Sequence, residues 1–503
     1  MNAVELLTHR ARLTPEEEAL VEVATGRRFT FAQINQRACQ TAHWLLSMGV
    51  AYGDRVSILG HNSIAYVDLF FACGKIGAIF TPLNWRLTAD ELAWILNNCE
   101  SKVLVVEPEF EDVAQQLASL TTVQSTVTRH TFDQAIAAAA TAEPAAPDQL
   151  NGESIHAILY TSGTTGRPKG ALIPHRQVLW NAIATATSWE LTAADCAPIL
   201  TPMFHAGGLF VFLTPLIYAG GKVLITKEFD LVGSIDLILQ EKCTVVLGVP
   251  TIFQMWLDGN ITQSANLSSV RYFISGGAPC PIPLIHRWRE TTGIALRQGY
   301  GMSEVGVNCF SMSNAESISK AGSVGRPIFH LNAQIMDGEG NQLPQGETGE
   351  LVFKGPQVCA GYLNNPEATS KTIVDDWFRT GDMARIDEDG FVQIVGRFKD
   401  MLISGGENVY AAEVESALMS HSAVQLCALV GKPDDKWGEV GVMFVVLEPD
   451  HALTPADVLI EYCQQKLARF KVPKEIIFLD ELPHSPYGKV EKIKLKKMYI
   501  DQA

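Results

Sequence analysis

Residues 160–170 read YTSGTTGRPKG and begin on the last residue of the apolar run HAILY, residues 156–160. The stretch holds three threonines, one serine and three glycines, with Arg167 and Lys169 near its end. A strand that runs into a glycine-rich loop is a common phosphate-binding arrangement, because glycine lets backbone N–H groups approach the oxygens closely. Thr161, Ser162, Thr164 and Thr165 add hydroxyl donors, and Lys169 adds a charge that can follow a departing phosphate. The spacing is not the GxxxxGK[ST] of a Walker A loop. On composition alone the stretch also reads as a flexible linker.

Outward from this stretch, strand-like runs recur: RVSILG (55–60), KVLVVE (102–107), KVLIT (222–226) and CTVVLGV (243–249). Helical patterns lie between them, as in FAQINQRACQTAHWLLSMG (31–49) and TADELAWILNNC (88–99). Alternation of this kind predicts an α/β fold with largely parallel, helix-covered sheets. The Ala/Pro-rich segment 135–153 reads as a surface connection between two α/β lobes. Beyond about residue 320, short strands with turn signals (333–355, GYLNNPEATS at 361–370, GFVQIVGRFKD at 390–400) predict a β-rich, barrel-like subdomain. A small α+β domain follows. The expected division is a large N-terminal domain, 1–396, and a C-terminal domain, 397–503, on a hinge.

Composition narrows the function classes. With 47% hydrophobic and 19% charged residues, the 503-residue chain is globular. A formal charge of −16 argues against nucleic acid or an anionic membrane as the main partner. The ten cysteines form no CxxC pair and lie in apolar surroundings, as expected of reduced core thiols in a cytoplasmic protein. The N-terminal stretch has no apolar signal core. The most apolar stretches, 63–80 and 209–225, are broken by Asp68 and Lys75 and by Pro215 and Gly220–Gly221. Neither supplies a transmembrane span, and both read as buried helix–turn–strand segments. A homodimer is compatible with the sequence.

YTSGTTGRPKG resembles the phosphate-loop signature of the adenylate-forming enzymes: acyl-CoA synthetases, peptide-synthetase adenylation domains and firefly-type luciferases. Further stretches follow in that family's order: GGAP (276–279), QGYGMSE (298–304), WFRTGD (377–382), GRFKDMLISGGENVYAAEVE (396–415) and PHSPYGK (483–489). The resemblance covers essentially the whole chain.

The resemblance implies an ATP site built from Thr161, Ser162, Gly163, Thr164, Thr165, Gly166 and Lys169, from Gly276, Gly277 and Ala278, and from Gln298, Gly299, Tyr300, Gly301, Met302, Ser303 and Glu304. Tyr300 offers a ring face to adenine, Ser303 is placed to contact the α-phosphate, and Glu304 is placed to hold Mg2+. A single carboxylate plus phosphate oxygens suits that ion. The resemblance assigns Asp382 to the ribose hydroxyls, Arg397 to the nucleotide and Lys399 to the hinge. It makes Lys489, with Lys169 and Glu304, catalytic: the Lys489 ammonium offsets charge on the attacking carboxylate and the α-phosphate. The family often has Thr or Ser before the glycine of this last motif, whereas this chain has Tyr487.

SGGEN (404–408) and KPDDKWGE (432–439) resemble the acyl-CoA synthetase form, which implies coenzyme A as co-substrate and a thiol tunnel at Ser404, Gly405, Gly406 and Trp437. By motif position the acyl site takes Trp180, His205, Thr251, Ser275, Gly301 and Met302. These are mostly small or apolar, which implies a medium- or long-chain fatty acid or an aromatic acid. The texture most resembles fatty-acyl-CoA and feruloyl-type synthetases. Transfer of the acyl group to an amine, a luciferase-like oxygenase, and a non-enzymatic binding protein are the alternatives.

Overall fold

The computed structural model of the chain describes residues 2–161, 167–262, 265–405, 407–434, 436–484 and 490–499, with the main chain alone at position 399. The strand before the glycine-rich loop, Ile155–Thr161, belongs to a six-stranded sheet. The sheet order is Ser125–Thr128, Ser101–Val106, Arg55–Leu59, Ile79–Leu83, Ile155–Thr161, Lys169–Pro174. Neighbours run parallel except the last pair, which is antiparallel across the loop. Parallel strands covered on both faces need unbroken apolar runs, and Val103 to Val106 are all buried.

Both long apolar stretches fold as helix, glycine, strand. Ile64–Ile76 is a helix buried along its whole length; Gly77, at φ 70°, ends it, and the chain enters Ile79–Leu83. Leu213–Ala219, Gly220 at φ 89° and Lys222–Ile225 repeat the pattern. A left-handed residue closes a helix, and glycine adopts that conformation without a Cβ penalty. The buried charges in the first stretch are partnered. Asp68 accepts bonds from Arg37 at 3.0 and 2.6 Å. Lys75 donates to Thr8, Asn35 and Glu143 at 2.8, 2.9 and 2.5 Å. Among the described residues no helix is long and apolar enough to cross a membrane.

The Lys75–Glu143 pair also corrects an expectation. Residues 135–153 do not join two lobes. Their first four residues are the last turn of the helix Arg129–Ala138, the rest lead to Ile155–Thr161 of the same six-stranded sheet, and Glu143 fastens them to that sheet's helical cover.

Two further sheets complete the α/β part. One runs Arg27–Thr30, Glu18–Glu22, Lys222–Ile225, Cys196–Ile199, and the other Val245–Gly248, Tyr272–Ser275, Leu296–Gln298. In the latter all strands are parallel, with Gly248, Ser275 and Gln298 in register at the carboxyl edge. Loops leaving such an edge are the usual ligand-binding place in open parallel sheets.

After residue 330 a five-stranded antiparallel sheet forms from Asn332–Met336, Gly349–Lys354 and Trp377–Ile386, with Ile373–Val374 and Val392–Arg397 both pairing with Trp377–Ile386. GYLNNPEATS is only partly extended: Asn365 caps, and Pro366 opens, a helix over Pro366–Thr372. An Asn cap before proline at the first helical position is a strong start signal.

A turn at Phe398–Asp400 leads to the smaller domain. Its sheet runs Glu407–Tyr410, Met401–Ser404, Gly438–Leu447, Val424–Asp434, with Glu475–Phe478 pairing to Gly438–Leu447. The helices Ala411–Leu418 and Ala456–Lys466 close its core through Val414, Leu418, Leu459 and Cys463. All ten cysteines are free and buried.

Candidate active site

The site begins where the glycine-rich loop leaves its strand. Thr161 and Lys169 are register partners at the mouth of that loop. Ser162, Gly163, Thr164, Thr165 and Gly166 lie outside the described residues. Beside Lys169–Pro174 the segment around Tyr362 adds an extra extended edge. Leu172 N–H donates to Gly361 O at 2.9 Å, Ala360 N–H to Leu172 O at 2.9 Å, and Leu363 N–H to Gly170 O at 2.8 Å.

Glu304 sits at this junction. Its Oε1 accepts the Thr161 hydroxyl at 3.3 Å and the Tyr362 hydroxyl at 3.1 Å. Its carbonyl accepts Cys359 N–H at 2.7 Å, and the Ser303 carbonyl accepts Gln177 Nε2 at 2.7 Å. The residue is 4% exposed, and burial pushes its carboxyl up from the ordinary range against the pull of those hydroxyls. A buried carboxylate is costly unless it is paired, so this position favours a cation. Among the described residues no group of three His, Cys, Asp or Glu side chains could hold a metal on its own. The donor present is one hard carboxylate beside the strand that enters the glycine-rich loop, a donor that suits Mg2+ completed by phosphate oxygens.

A second cluster joins three distant motifs. Tyr300 donates its hydroxyl to Asp382 Oδ2 at 2.6 Å, and Arg397 Nε meets Asp382 Oδ1 at 2.9 Å. Asp382 and Arg397 are register partners on adjacent strands, and Thr380 Oγ1 accepts the Asp382 N–H at 3.0 Å. Asp382 is buried, while the Arg397 side chain is 44% exposed. Burial, then the Asp382 charge, raises the Tyr300 phenol far above its ordinary range, so it stays a donor. A carboxylate has about four lone-pair positions, so Asp382 keeps capacity for further hydroxyl donors.

The loops of the carboxyl edge complete this face. Gly276 N–H donates to Gly248 O at 3.0 Å and Gly299 N–H to Ser275 O at 2.8 Å. Gly277 sits at φ 81° just before Ala278, and Gln298 Nε2 donates to Cys280 O at 3.2 Å. Met302 N–H donates to Gly306 O at 3.1 Å, closing a tight turn around Glu304. The expected acyl contacts are more scattered. Ser275 is buried at a strand end, and Thr251 is exposed in the first turn of Pro250–Asp258. His205 precedes the short helix Ala206–Phe210, its ring 5.4 Å from Phe204. Behind that helix lies a water-sized, mainly apolar cavity of about 10 Å³ against Leu200, Phe212 and Leu247. Trp180 packs on His330 at 4.7 Å, a contact that lends its acyl role no support.

In the smaller domain, Gly405 N–H donates to Trp437 O at 2.7 Å. A Cβ on Gly405, at φ 65°, would stand 2.9 Å from the Trp437 ring. Trp437 is 41% exposed at the tip of a hairpin and lies over Gly405, with Ser404 buried beneath. It is therefore not core. Gly406 and Lys489 lie outside the described residues, and Lys399 is described by its main chain alone, in the turn Phe398–Asp400. Sequence reasoning missed Tyr362, Gln177 and Cys359, which grip the Glu304 turn. Tyr362 had one signal: an aromatic residue after Gly361, at φ 115°, where few other residues fit.

Comparison with known proteins follows the same outline. A family profile described as "AMP-binding enzyme" matches residues 7–363, and one described as "AMP-binding enzyme C-terminal domain" matches residues 413–489. The chain is 38% identical over 491 residues to a feruloyl-CoA synthase of Amycolatopsis, covering 97% of each. It is 35% identical to the long-chain-fatty-acid–CoA ligase FadD13 of Mycobacterium tuberculosis, covering 98% of each. ATP-bound MatB from Rhodopseudomonas palustris superposes with a TM-score of 0.91 at 32% identity, covering 100% of both chains. With both profiles in order and relatives of this kind matching end to end, the chain belongs to the AMP-binding, adenylate-forming enzymes, and is an acyl-CoA synthetase that activates a carboxylic acid with ATP through an acyl-adenylate and passes it to coenzyme A.

Proposed function

We propose that the acid is hydrophobic, a medium- or long-chain fatty acid or an aromatic acid, and that the residues above divide the two half-reactions between them. The observation that carries the assignment is Glu304, a buried carboxylate held by Thr161 and Tyr362 at the mouth of the phosphate loop. In the first half-reaction the loop's hydroxyls and Lys169 bind the β- and γ-phosphates, and Glu304 would hold Mg2+. When bound, that ion neutralises phosphate charge and orients the triphosphate. Tyr300 lies along the adenine, Asp382 takes the ribose, and Arg397 steadies Asp382 from the side facing the smaller domain. The substrate carboxylate attacks the α-phosphorus and pyrophosphate leaves. Lys489 offsets the charge that gathers on the carboxylate and α-phosphate, an electrostatic role with no proton transferred.

For the second half-reaction the smaller domain turns about Lys399. That removes Lys489 and brings Ser404, Gly405 and Trp437 to the tunnel through which the thiol reaches the acyl carbon. Trp437 already lies over Gly405, which supports a role for the pair in shaping that path. The acyl contacts carry no carboxylate, lysine or arginine, and the relatives named above include a feruloyl-CoA synthase and a long-chain ligase. Both points support a hydrophobic acid. Hydrophobic pockets discriminate by about 1–3 kcal/mol per methylene, so a graded preference among homologous acids is expected. The ten buried, unpaired cysteines support a cytoplasmic setting.

Lys489→Ala tests the division of labour. It should lower pyrophosphate exchange by about 100-fold or more, since loss of one electrostatic donor costs on that order. It should leave thioester formation from synthetic acyl-adenylate near the parental rate. Equal loss of both half-reactions would remove Lys489 from its assigned place. AMP release across fatty, cinnamic and benzoic acids, with and without CoA, tests the acid class, and a preference for a dicarboxylic or amino acid would overturn it.

A further inference from the structure

The segment Cys359–Leu363 touches neither substrate nor nucleotide in the scheme above, yet it holds Glu304 twice. Cys359 N–H donates to the Glu304 carbonyl at 2.7 Å, and the Tyr362 hydroxyl donates to Glu304 Oε1 at 3.1 Å. The same Oε1 accepts Thr161 Oγ1 at 3.3 Å. Two donors fill both lone pairs of that oxygen. The tyrosine's other face is also engaged, because Lys169 Nζ lies 5.2 Å from the ring centroid.

The support beneath Tyr362 is firm. Its backbone bridges Ala171 on the strand that leaves the phosphate loop. Its N–H donates to Thr369 Oγ1 at 2.9 Å, inside the Asn365-capped helix. A Cβ on Gly361 would stand 2.5 Å from Thr369 Cγ2, so the glycine lets this turn close. A side chain fixed in this way can fix what it bonds to.

We propose that Tyr362 is a positioning residue: with Thr161 it saturates Glu304 Oε1 and so reserves Oε2 for the Mg2+ of bound ATP, while its ring keeps Lys169 beside the same phosphates. The inference rests on the reading of Glu304 as the metal ligand. Partners that orient a ligating carboxylate are typically worth about 10–100-fold in metal affinity. Phenylalanine at 362 keeps the ring for Lys169 and removes only the hydroxyl, so it isolates the effect on the carboxylate.

The test is Mn2+ binding to the full chain saturated with α,β-methylene-ATP, followed by the enhancement of water proton relaxation over that of the Mn2+–nucleotide complex alone. Tyr362→Phe should weaken Mn2+ about tenfold and raise by a similar factor the Mg2+ needed for half-maximal pyrophosphate exchange. Glu304→Gln should weaken Mn2+ at least as much. The double variant should be no worse than Glu304→Gln alone, because a residue acting through another loses its effect once that other is gone. Thr161→Val removes the second donor to the same oxygen and should give the same pattern, which keeps the test available if Tyr362→Phe folds poorly. Parental Mn2+ affinity in Tyr362→Phe, with Glu304→Gln impaired, overturns the inference alone, as does an additive double variant. Parental affinity in Glu304→Gln overturns the metal assignment and the inference with it.

Discussion

Gly301 illustrates how little freedom single residues have at this site. A Cβ there would stand 2.2 Å from Val307 O and 2.6 Å from Gly306 O, both main-chain atoms in the turn that carries Glu304. Neither can yield without moving Tyr300 and Glu304 together. Gly301→Ala should therefore cost about 1–3 kcal/mol, the range for forced overpacking. It should also raise the KM for ATP more than tenfold, because it displaces Tyr300 and Glu304 in one step. Gly338 is the control: it lies in a surface turn with nothing within 4 Å of an added Cβ. Gly338→Ala should stay within about 0.5 kcal/mol of the parent and keep its ATP affinity. Thermal unfolding and ATP titration of the two variants decide the matter, and equal effects would show that the turn is more pliable than its contacts suggest. The need for glycine within QGYGMSE is legible in the sequence. The atoms that impose it, on Val307, are not, because nothing in the spelling tells the reader that the chain doubles back at Gly306.

Strand and helix placement at the loop's base rests on two buried histidines. His156 lies in Ile155–Thr161 and His175 opens the helix His175–Ser188, with ring centroids 4.5 Å apart. Phe70 packs edge-on against His156 at 4.2 Å, and Ala3 N–H donates to His175 Nδ1 at 3.1 Å. Burial holds both rings neutral, with His156 well below the ordinary imidazole range and His175 at about 3. In the unfolded chain both titrate near 6.5. Between about pH 6.5 and 3 the unfolded state thus carries more protons, so this stability is full above 6.5 and drains as pH falls, at up to about 1.4 kcal/mol per unit for each ring. Between pH 6 and 5, the loss of unfolding free energy in urea should be about 1 kcal/mol smaller for His156→Leu than for the parent. Identical slopes would refute the account. At this scale the sequence is uneven as a guide. The segments 63–80 and 209–225 declare helix, glycine and strand because each element is buried by local pattern. The route of 135–153 and the docking of Tyr362 beside Ala171 depend on pairing between distant segments, which local periodicity does not encode. The motifs' order announced the site's chemistry, while the cradle around Glu304 emerged only from the fold.

For the whole molecule, the question is whether the turn at Phe398–Asp400 works as the pivot between the two half-reactions. The large domain ends its last sheet at Val392–Arg397, and the next strand, Met401–Ser404, belongs to the other domain's sheet. Three residues therefore carry any change of relative orientation, and Arg397, paired to Asp382, anchors one side of them. A hinge works by changing φ and ψ at a few positions. Proline fixes φ near −65° and biases the residue before it away from the helical region, so at 399 it restricts two of the three residues of this turn. Lys399→Pro should favour one arrangement of the two domains over the other. The expected signature is asymmetry: pyrophosphate exchange and thioester formation from synthetic acyl-adenylate should fall by factors that differ at least tenfold. Lys399→Ala, which keeps backbone freedom, should leave the two rates in their parental ratio, because a pivot at this turn would need the main chain of residue 399 and not its charge. A proline variant that loses both rates equally, or neither, would move the pivot elsewhere in the chain.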